Sequence, residues 1–514
     1  MEILDRYRQL VTDRSQWLNT YQEVGKYVWP DARTMVKSTQ VADVGQVLTV
    51  DIADSTAIKA SRRMTAGIFS YLMPVGVKWF ELKPADKRLE MDKGIQRKLS
   101  AAVDFLHGAI WRSNFQREMF MTIRSLVVFG TGCIAVYDVD GELVFRNYHI
   151  ADIFFEENKD GVIDVVFRRM YYTARQMKQK FFVVPKVVQQ ALDSKDFLKR
   201  FEVVHAVYPR TDYDTSKVDL KKFVSQFILV DDETVLEEGG YDSMVYLIGR
   251  FDKSPDELMG RSPAIELLPD IKMLNNMRKT FVESCEIQSG PPLIVEDDSV
   301  IGQPATGPRD IIVKRQGAPD PVPLQTGVNP ALTAEVLTLE RQGIMEGFYN
   351  DLFDALAQYR NMTAYEVSQR IEEKMVMLAP AISGLAKELF DPLIIRSLDL
   401  IYKMKGAPEK VNEKVVINYQ GRLAMAMSNM QTNAIEIWTA KWSHYQQFYP
   451  VLDVLKLDEA ASSSALNAGV PAEFIRTQDE LVAYRKETSD MNRLAQQAEI
   501  AATGSQAIKN LSAA

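Results

Sequence analysis

Gly260-Arg261-Ser262-Pro263-Ala264-Ile265-Glu266-Leu267-Leu268-Pro269-Asp270-Ile271-Lys272-Met273-Leu274-Asn275 opens the stretch that decides the fold. Ser262-Pro263 starts a helix, with the proline in the first turn, where a missing N–H leaves no bond unmade. The helical pattern runs to about Gln288, and Ser289-Gly290-Pro291-Pro292 stops it. Residues 293–328 are rich in Pro and Gly, with two short β-like runs at Leu293–Glu296 and Ile311–Lys314. Asn329-Pro330 opens a second helix, Asn as cap and Pro at the first helical position, that reaches about Leu356. Two helices of about 25 residues, each roughly 40 Å long, thus bracket a small β-containing module. Helix, knob, helix is an uncommon layout.

Working outward from this pair, the N-terminal side is helical first and then β-rich. Ile3, Leu4, Tyr7, Leu10, Val11, Trp17, Leu18, Tyr21, Val24 and Val28 recur at three- and four-residue steps until Trp29-Pro30. A second helix follows Asp54-Ser55 and ends before Pro74, Lys78–Leu82 reads as a strand, and helical patterns resume from about Gly94 to Phe129. From Gly130 the period becomes two. Cys133–Asp138 and Glu142–Asn147 flank Asp140-Gly141, a hairpin signal. Further strand-like runs at Val162–Arg168, Glu202–Tyr208 and Phe223–Val230 make 130–250 mainly β, with one helical insert near Ala174–Phe182.

On the C-terminal side the second long helix gives way at Gln358-Tyr359-Arg360-Asn361-Met362, because Thr363-Ala364-Tyr365-Glu366 is a capping box that starts a new helix. That helix continues to about Gly406 with a kink expected at Pro380, Val415–Tyr419 reads as a strand, and 421–514 is helical and grows rich in Ala, Gln and Ser. The sum is an α+β chain, mainly helical.

Composition bounds the function. At 514 residues and 46% apolar content the chain holds about three or four folding units and a large core. Its charged first residues, Met1-Glu2-Ile3-Leu4-Asp5-Arg6, give no export signal, no apolar run is long enough to predict a membrane span, and Cys133 and Cys285 alone argue against a disulfide scaffold. The net charge of −8 is wrong for a protein that grips DNA by neutralising phosphates. Nucleotide-binding and hydrolytic motifs are missing: there is no Gly-x-x-x-x-Gly-Lys-Ser/Thr loop, Gly-x-Ser-x-Gly elbow or His-Glu-x-x-His. His107, His149, His205 and His444 are scattered and read as structural; Asp231-Asp232 and Asp297-Asp298 sit among turn residues and read as solvated loops rather than metal ligands. No catalytic residue, metal or cofactor is predicted.

Several segments, in order along residues 50–425, resemble the portal, or head-to-tail connector, family of short-tailed bacteriophages. They are Asp54-Ser55-Thr56-Ala57 through Leu72-Met73-Pro74 to Trp79-Phe80-Glu81-Leu82; Val128-Phe129-Gly130-Thr131-Gly132; Gly260-Arg261-Ser262-Pro263-Ala264 with Leu268–Asn275; Pro291-Pro292-Leu293; and Met362-Thr363-Ala364. Met259 stands where the family often has Tyr, and little after 425 matches. The resemblance implies a closed ring of about twelve identical subunits around a DNA channel. It divides the chain into a wing (1–260), stem helix 1 (261–288), a clip (289–328), stem helix 2 (329–356), a tunnel loop (357–362), wing helices and strand (363–420) and a crown with the C-terminal tail (421–514). It implies a virion protein at the capsid vertex, assembled in the host cytoplasm. The implied partners are terminase, a tail adaptor, the major capsid and scaffolding proteins, and double-stranded DNA passing without sequence readout. A metal-dependent nuclease or packaging ATPase, or another neck or core protein of the virion, are the alternatives.

If the helix pair lines a channel, its charge matters. Lys272, Arg278 and Lys279 face Glu266, Asp270, Glu283 and Glu286 on the first helix, and only Arg341 opposes Glu335, Glu340, Glu346, Asp351 and Asp354 on the second. Lys272, Arg278, Glu335, Glu340, Arg341 and Glu346 are the channel-lining candidates, and Tyr359, Arg360 and Asn361 the tunnel-loop candidates. A net acidic wall suits a duct, since a dense ring of arginines would bind phosphates and brake passage. Pairing between neighbouring helices is the competing explanation for each charge. Gly343 and Gly347, four apart, either let helices approach closely, permit a kink, or are tolerated at about 1 kcal/mol each.

Overall fold

The computed structural model describes residues 2–32, 49, 51–74, 76–86, 88–89, 92–212, 221–294, 300, 313–317, 319–320, 322–323, 330–351, 378–411 and 414–419, and positions 438–441, 458, 461, 476, 480–482, 484–486 and 488. The chain divides into two units, Met1–Asn418 and Tyr419–Ala514. In the second, the described residues 438–441, 480–482 and 484–486 are helical, and Arg485 grips Asp458 with two bonds of 2.6 and 2.7 Å.

The first unit begins with α1 (Glu2–Val28) and α2 (Thr56–Leu72) as the apolar periodicity predicts. Strand β1 (Phe80–Pro84) lies two residues beyond the expected run, because the Trp79 N–H is taken by His107 Nε2 at 3.2 Å instead of a ladder bond. The helical stretch to Phe129 is two helices, α3 (Lys93–Arg112) and α4 (Phe115–Phe129). The break is at Ser113, whose backbone is extended, and next to it the Asn114 side chain exchanges two hydrogen bonds with the Phe145 backbone, at 2.7 and 2.9 Å.

The expected hairpin forms as β2 (Thr131–Val139) and β3 (Glu142–Tyr148), turning on Asp140 and Gly141 at positive φ. Next come β4 (Ile153–Glu157), β5 (Ile163–Thr173), α5 (Ala174–Lys180), α6 (Lys186–Asp193), β6 (Arg200–Pro209), β7 (Phe223–Leu229), β8 (Val235–Tyr241) and β9 (Tyr246–Arg250). The insert is therefore two helices. Its first opens on a full capping box at Thr173 and Gln176 and its second starts after Pro185. Strands β4, β8 and β9 escape the period-two reading: β4 and β9 are buried along most of their length, and β8 carries one buried side chain among glutamates and glycines.

The sheets run β3-β2-β9 and β4-β5-β6-β7-β8, all antiparallel. Leu4 and Tyr7 of α1 pack with Phe154, Phe167, Val204 and Ile228 on one face of the five-stranded sheet, and Met177, Phe181 and Val188 of the insert with Phe201, Val203 and Leu229 on the other. Strict alternation along β6 and β7 feeds both cores.

The long-helix region departs from expectation in three places. The first helix is α7 (Pro263–Glu266) and α8 (Leu268–Ser289), interrupted at Leu267. Pro269 causes the break, since it has no N–H for the Ile265 carbonyl. The knob is closed by β10 (Leu293–Ile294) pairing with β11 (Val322–Pro323); of the second run predicted at 311–314 only Val313 and Lys314 are described, and Lys314 bridges to Val300. The second helix, α9 (Pro330–Gly347), is interrupted at a turn where Tyr349 takes φ 54°; Asn350 and Asp351 are helical again, and 352–356 lie outside the described residues. After it, residues 378–385 are helical, Ala386–Phe390 forms a π turn, and α10 (Asp391–Ile401) follows; most of the turn before Pro380, where the expected kink would show, lies outside the described residues, as does the capping box at 363–366. Strand β12 (Val415–Tyr419) pairs with β1, as Ala85 N–H donates to Lys414 O at 2.8 Å. Among the described residues no helix is long and apolar enough to cross a membrane.

Candidate functional site at the junction of sheet and helix pair

Two glycine-containing motifs that lie 130 residues apart in sequence meet face to face. Gly130 ends α4 with φ 74°, and a Cβ placed on it would sit 2.2 Å from the Gly260 carbonyl oxygen; one on Gly260 would lie 2.3 Å from the Gly130 carbonyl. Real side chains never come so close, so this crossing of two backbones requires glycine on both sides. Around it Gly260 N–H donates to Thr131 Oγ1 at 3.0 Å, Phe251 N–H to Gly130 O at 2.8 Å, and Ser262 Oγ to Val128 O at 2.8 Å while also accepting the Ile265 N–H. The helix pair is thereby launched from the joint between α4 and β2.

A salt-bridged knot backs this joint. Arg250, almost fully buried, binds Glu388 of the π turn at 2.5 Å and also Glu157, which Lys253 holds at 2.7 Å. Burial would raise the Glu157 carboxyl, but the hydrogen bonds from Lys253 and Arg250 outweigh it and hold it below its ordinary range. Gly249 lets Leu385 and Leu389 approach β9, where an added Cβ would meet them at 3.0–3.1 Å. The π turn thus seats Glu388 on Arg250, a side-chain placement that a continuous α-helix would shift.

Helices α8 and α9 run antiparallel. At one end Gly347 of α9 abuts Leu267, whose methyl carbons would lie 2.7 Å from an added Cβ, and at the other Thr333 lines a shallow groove with Thr280 and Ser284. Gly347 therefore serves close approach, whereas Gly343 faces open space. Both helices grip the turn before α2. Asn275, buried on the Leu268–Ile271–Leu274 stripe of α8, accepts the Ala53 N–H at 2.7 Å and the Asp54 N–H at 3.3 Å. Arg341 of α9 forks onto Asp54 Oδ2 at 2.7 and 2.9 Å, and Asp54 Oδ1 accepts the Thr56 N–H at 2.9 Å at the start of α2. Burial pushes the Asp54 carboxyl up, but the bonds from Thr56 and Arg341 prevail and keep it ionised below its usual range.

The predicted channel residues fall out as follows. Lys272 pairs with Glu23 of α1 at 2.9 Å, Arg341 is engaged with Asp54, and Arg278 sits 5.5 Å from the Phe281 ring. Glu346 accepts from Gln342 at 2.8 Å, Glu335 is exposed and Glu340 half-buried. Two of the cations are thus neutralised within the chain, and Asp270, Glu283, Glu286, Glu335 and Glu346 stay exposed, so the pair is more acidic outward than a count suggests. Tyr359, Arg360 and Asn361 lie outside the described residues, as do Asp297, Asp298 and His444. His107, His149 and His205 each have protein partners; among the described residues no group of three His, Cys, Asp or Glu side chains is placed to hold a metal ion. Sequence reading quoted Asp54 and Asn275 without giving them a role. A polar Asn on an apolar stripe was the signal available for the latter.

The helix pair is thus closed at its tip by a two-stranded knob and tied at its base to a β-rich body. The chain belongs to the bacteriophage head to tail connecting protein family, which it matches over residues 1–475. Among its relatives are a probable portal protein of Bordetella phage BPP-1, 26% identical across 96% of this chain and 92% of that one, and the portal protein of Salmonella phage epsilon15, 23% identical across 99% and 95%.

Proposed function

We propose that this chain is one subunit of a ring-shaped portal at the capsid vertex, a conduit that admits double-stranded DNA during packaging and releases it at ejection. The observation that carries this reading is the α8–α9 pair, which leaves Met273, Val282, Ile287, Leu339 and Met345 exposed along its length while its polar surface is acidic. A single subunit leaves these apolar side chains uncovered, and neighbouring copies packed around an axis would cover them. The exposed carboxylates, Glu335 and Glu346 foremost, then face a passing polyanion that they cannot bind, which suits free transit.

In this reading 1–260 is the wing, 261–288 and 329–356 the stem, 289–328 the clip that docks terminase and later the tail adaptor, and 421–514 the crown. The segment 357–362 is the tunnel loop, with Arg360 as a sparse phosphate contact between Tyr359 and Asn361. Capsid and scaffolding proteins meet the outer face, and the energy for packaging comes from a separate ATPase. The test is the purified chain in mild buffer, imaged by negative stain and sized by light scattering. Rings of about twelve subunits with a central hole are expected; a stable monomer at micromolar concentration overturns the reading.

A further inference from the structure

The α5–α6 insert carries a surface that the fold leaves uncovered. Met177, Phe181, Val188 and Ala191 are buried against the five-stranded sheet. The two loops beside them turn the opposite way: Phe182 is fully exposed, Leu198 81% exposed, and Val183 and Phe197 about half exposed. Backbone bonds from Ala174 N–H to Lys199 O at 2.9 Å and from Arg175 N–H to Phe197 O at 3.4 Å tie the second loop to the start of α5, while Phe182 and Val183 follow the end of that helix. Two adjacent pairs of exposed large apolar side chains, Phe182 with Val183 and Phe197 with Leu198, on one insert of the sheet are more than the scattered singles of an ordinary surface.

Charge singles out the same surface. Residues 173–200 hold seven basic side chains and two acidic ones, in a chain whose net charge is −8. Arg175, Lys178, Lys186 and Lys195 are exposed and form no ion pair among the described residues. Lys180 is different: it bonds Tyr172 Oη at 2.7 Å and lies over the Phe227 ring, bracing the insert on its sheet.

We infer that this surface docks an acidic protein segment bearing apolar side chains, which sets Leu or Phe anchors beside Phe182 and Leu198 and carboxylates among the lysines. Charge complementarity selects an acidic partner, and the exposed anchors require one that contributes apolar surface. A DNA backbone satisfies the lysines but offers nothing to Phe182 and Leu198. A family that joins head to tail works among proteins, which favours a protein segment over a lipid surface.

The test uses the full-length assembled protein and a fluorescent acidic amphipathic peptide, with Glu on one helical face and Leu and Phe on the other. A peptide of equal charge with Ser at the apolar positions is the control. Wild-type protein should bind the first peptide more tightly, and more weakly as salt rises. Phe182→Ser with Leu198→Ser should lower that affinity at least about tenfold, as removal of interface anchors does, and Lys178→Glu with Lys186→Glu should lower it too, while circular dichroism and ring assembly stay unchanged. Several results overturn the proposal: no binding by wild type, equal binding of both peptides, or unaltered affinity in the variants. So does tighter binding to duplex DNA or to vesicles of phosphatidylglycerol and phosphatidylcholine in equal parts. Rings that fail to form in the Phe182→Ser, Leu198→Ser variant would mean that a second copy of this chain covers the surface, which also overturns it.

Discussion

Two buried histidines act as acid sensors of stability. His107 donates from Nδ1 to Val103 O at 3.0 Å and accepts the Trp79 N–H at Nε2, so its neutral form is fixed by both neighbours. His205 lies between Tyr246 Oη at 2.6 Å and Ser225 Oγ at 2.8 Å, stacked on Phe227. Burial pushes the first down to about 4 and the second to about 3. An unfolded histidine takes up its proton near 6.5, so below that pH the unfolded chain binds more protons than the folded one. Stability is then full above about 6.5 and falls as the pH drops toward 4, by up to about 1.4 kcal/mol per pH unit for each histidine. Urea midpoints at pH 7 and pH 5 measure this, and His107→Gln with His205→Gln should flatten the difference; an unchanged slope assigns the acid sensitivity elsewhere. The glycines give a paired prediction. Gly130→Ala adds both a left-handed strain and a backbone clash, and should cost about 3–5 kcal/mol in urea unfolding. Gly343→Ala, in open space within α9, should stabilise by about 0.5–1 kcal/mol.

At the scale of elements, the knob is set off from the body by its base. β10 and β11 pair Leu293 with Pro323 and Ile294 with Val322, which closes the excursion just beyond the end of α8. Replacing 296–310 by a short Gly/Ser linker should therefore leave ring formation intact and abolish adaptor or terminase binding, read by light scattering and by pull-down with each purified partner. Failure to assemble would put the segment in the ring's core. This layout was legible in sequence because capped, proline-started helices have strong local signals, as Ser262-Pro263 and Asn329-Pro330 do. The breaks at Leu267 and Gly347 were not. Each is decided by its contact with the other, Gly347 against the Leu267 side chain, in addition to the missing N–H of Pro269. Strands β4 and β9 stayed hidden for a related reason: a strand buried on both faces has no alternation to show. The site was half legible. Its motifs were found in order, but that Gly130 touches Gly260, or that Asp54 joins Asn275 to Arg341, depends on chain paths that no local spacing encodes.

Across the whole molecule, acidity would set the conditions under which the proposed ring assembles. Lys272 and Arg341 are already matched to Glu23 and Asp54, so in the proposed ring the channel-facing carboxylates of neighbouring copies would repel one another. Apolar burial must overcome that repulsion. Raising ionic strength to about 0.15 M shortens the screening length to about 8 Å and should shift subunits toward rings, while dilute buffer favours smaller species. Sedimentation profiles across a salt series check the sign; rings that come apart on adding salt would mean that attractive ion pairs between subunits dominate.

The crossing of Gly130 and Gly260 has a genetic consequence. A contact made of main-chain atoms offers no side chain through which a second mutation can answer the first, and both positions already carry the smallest residue. An intragenic suppressor of a damaged Gly130 therefore cannot be a complementary change at the facing position. It has to widen the gap from outside, through residues that clamp the two segments together, such as Thr131, which binds the Gly260 amide, or Ser262, which binds Val128. In a reversion screen, second-site mutations should gather at those clamps, and the glycines themselves should return only by true reversion.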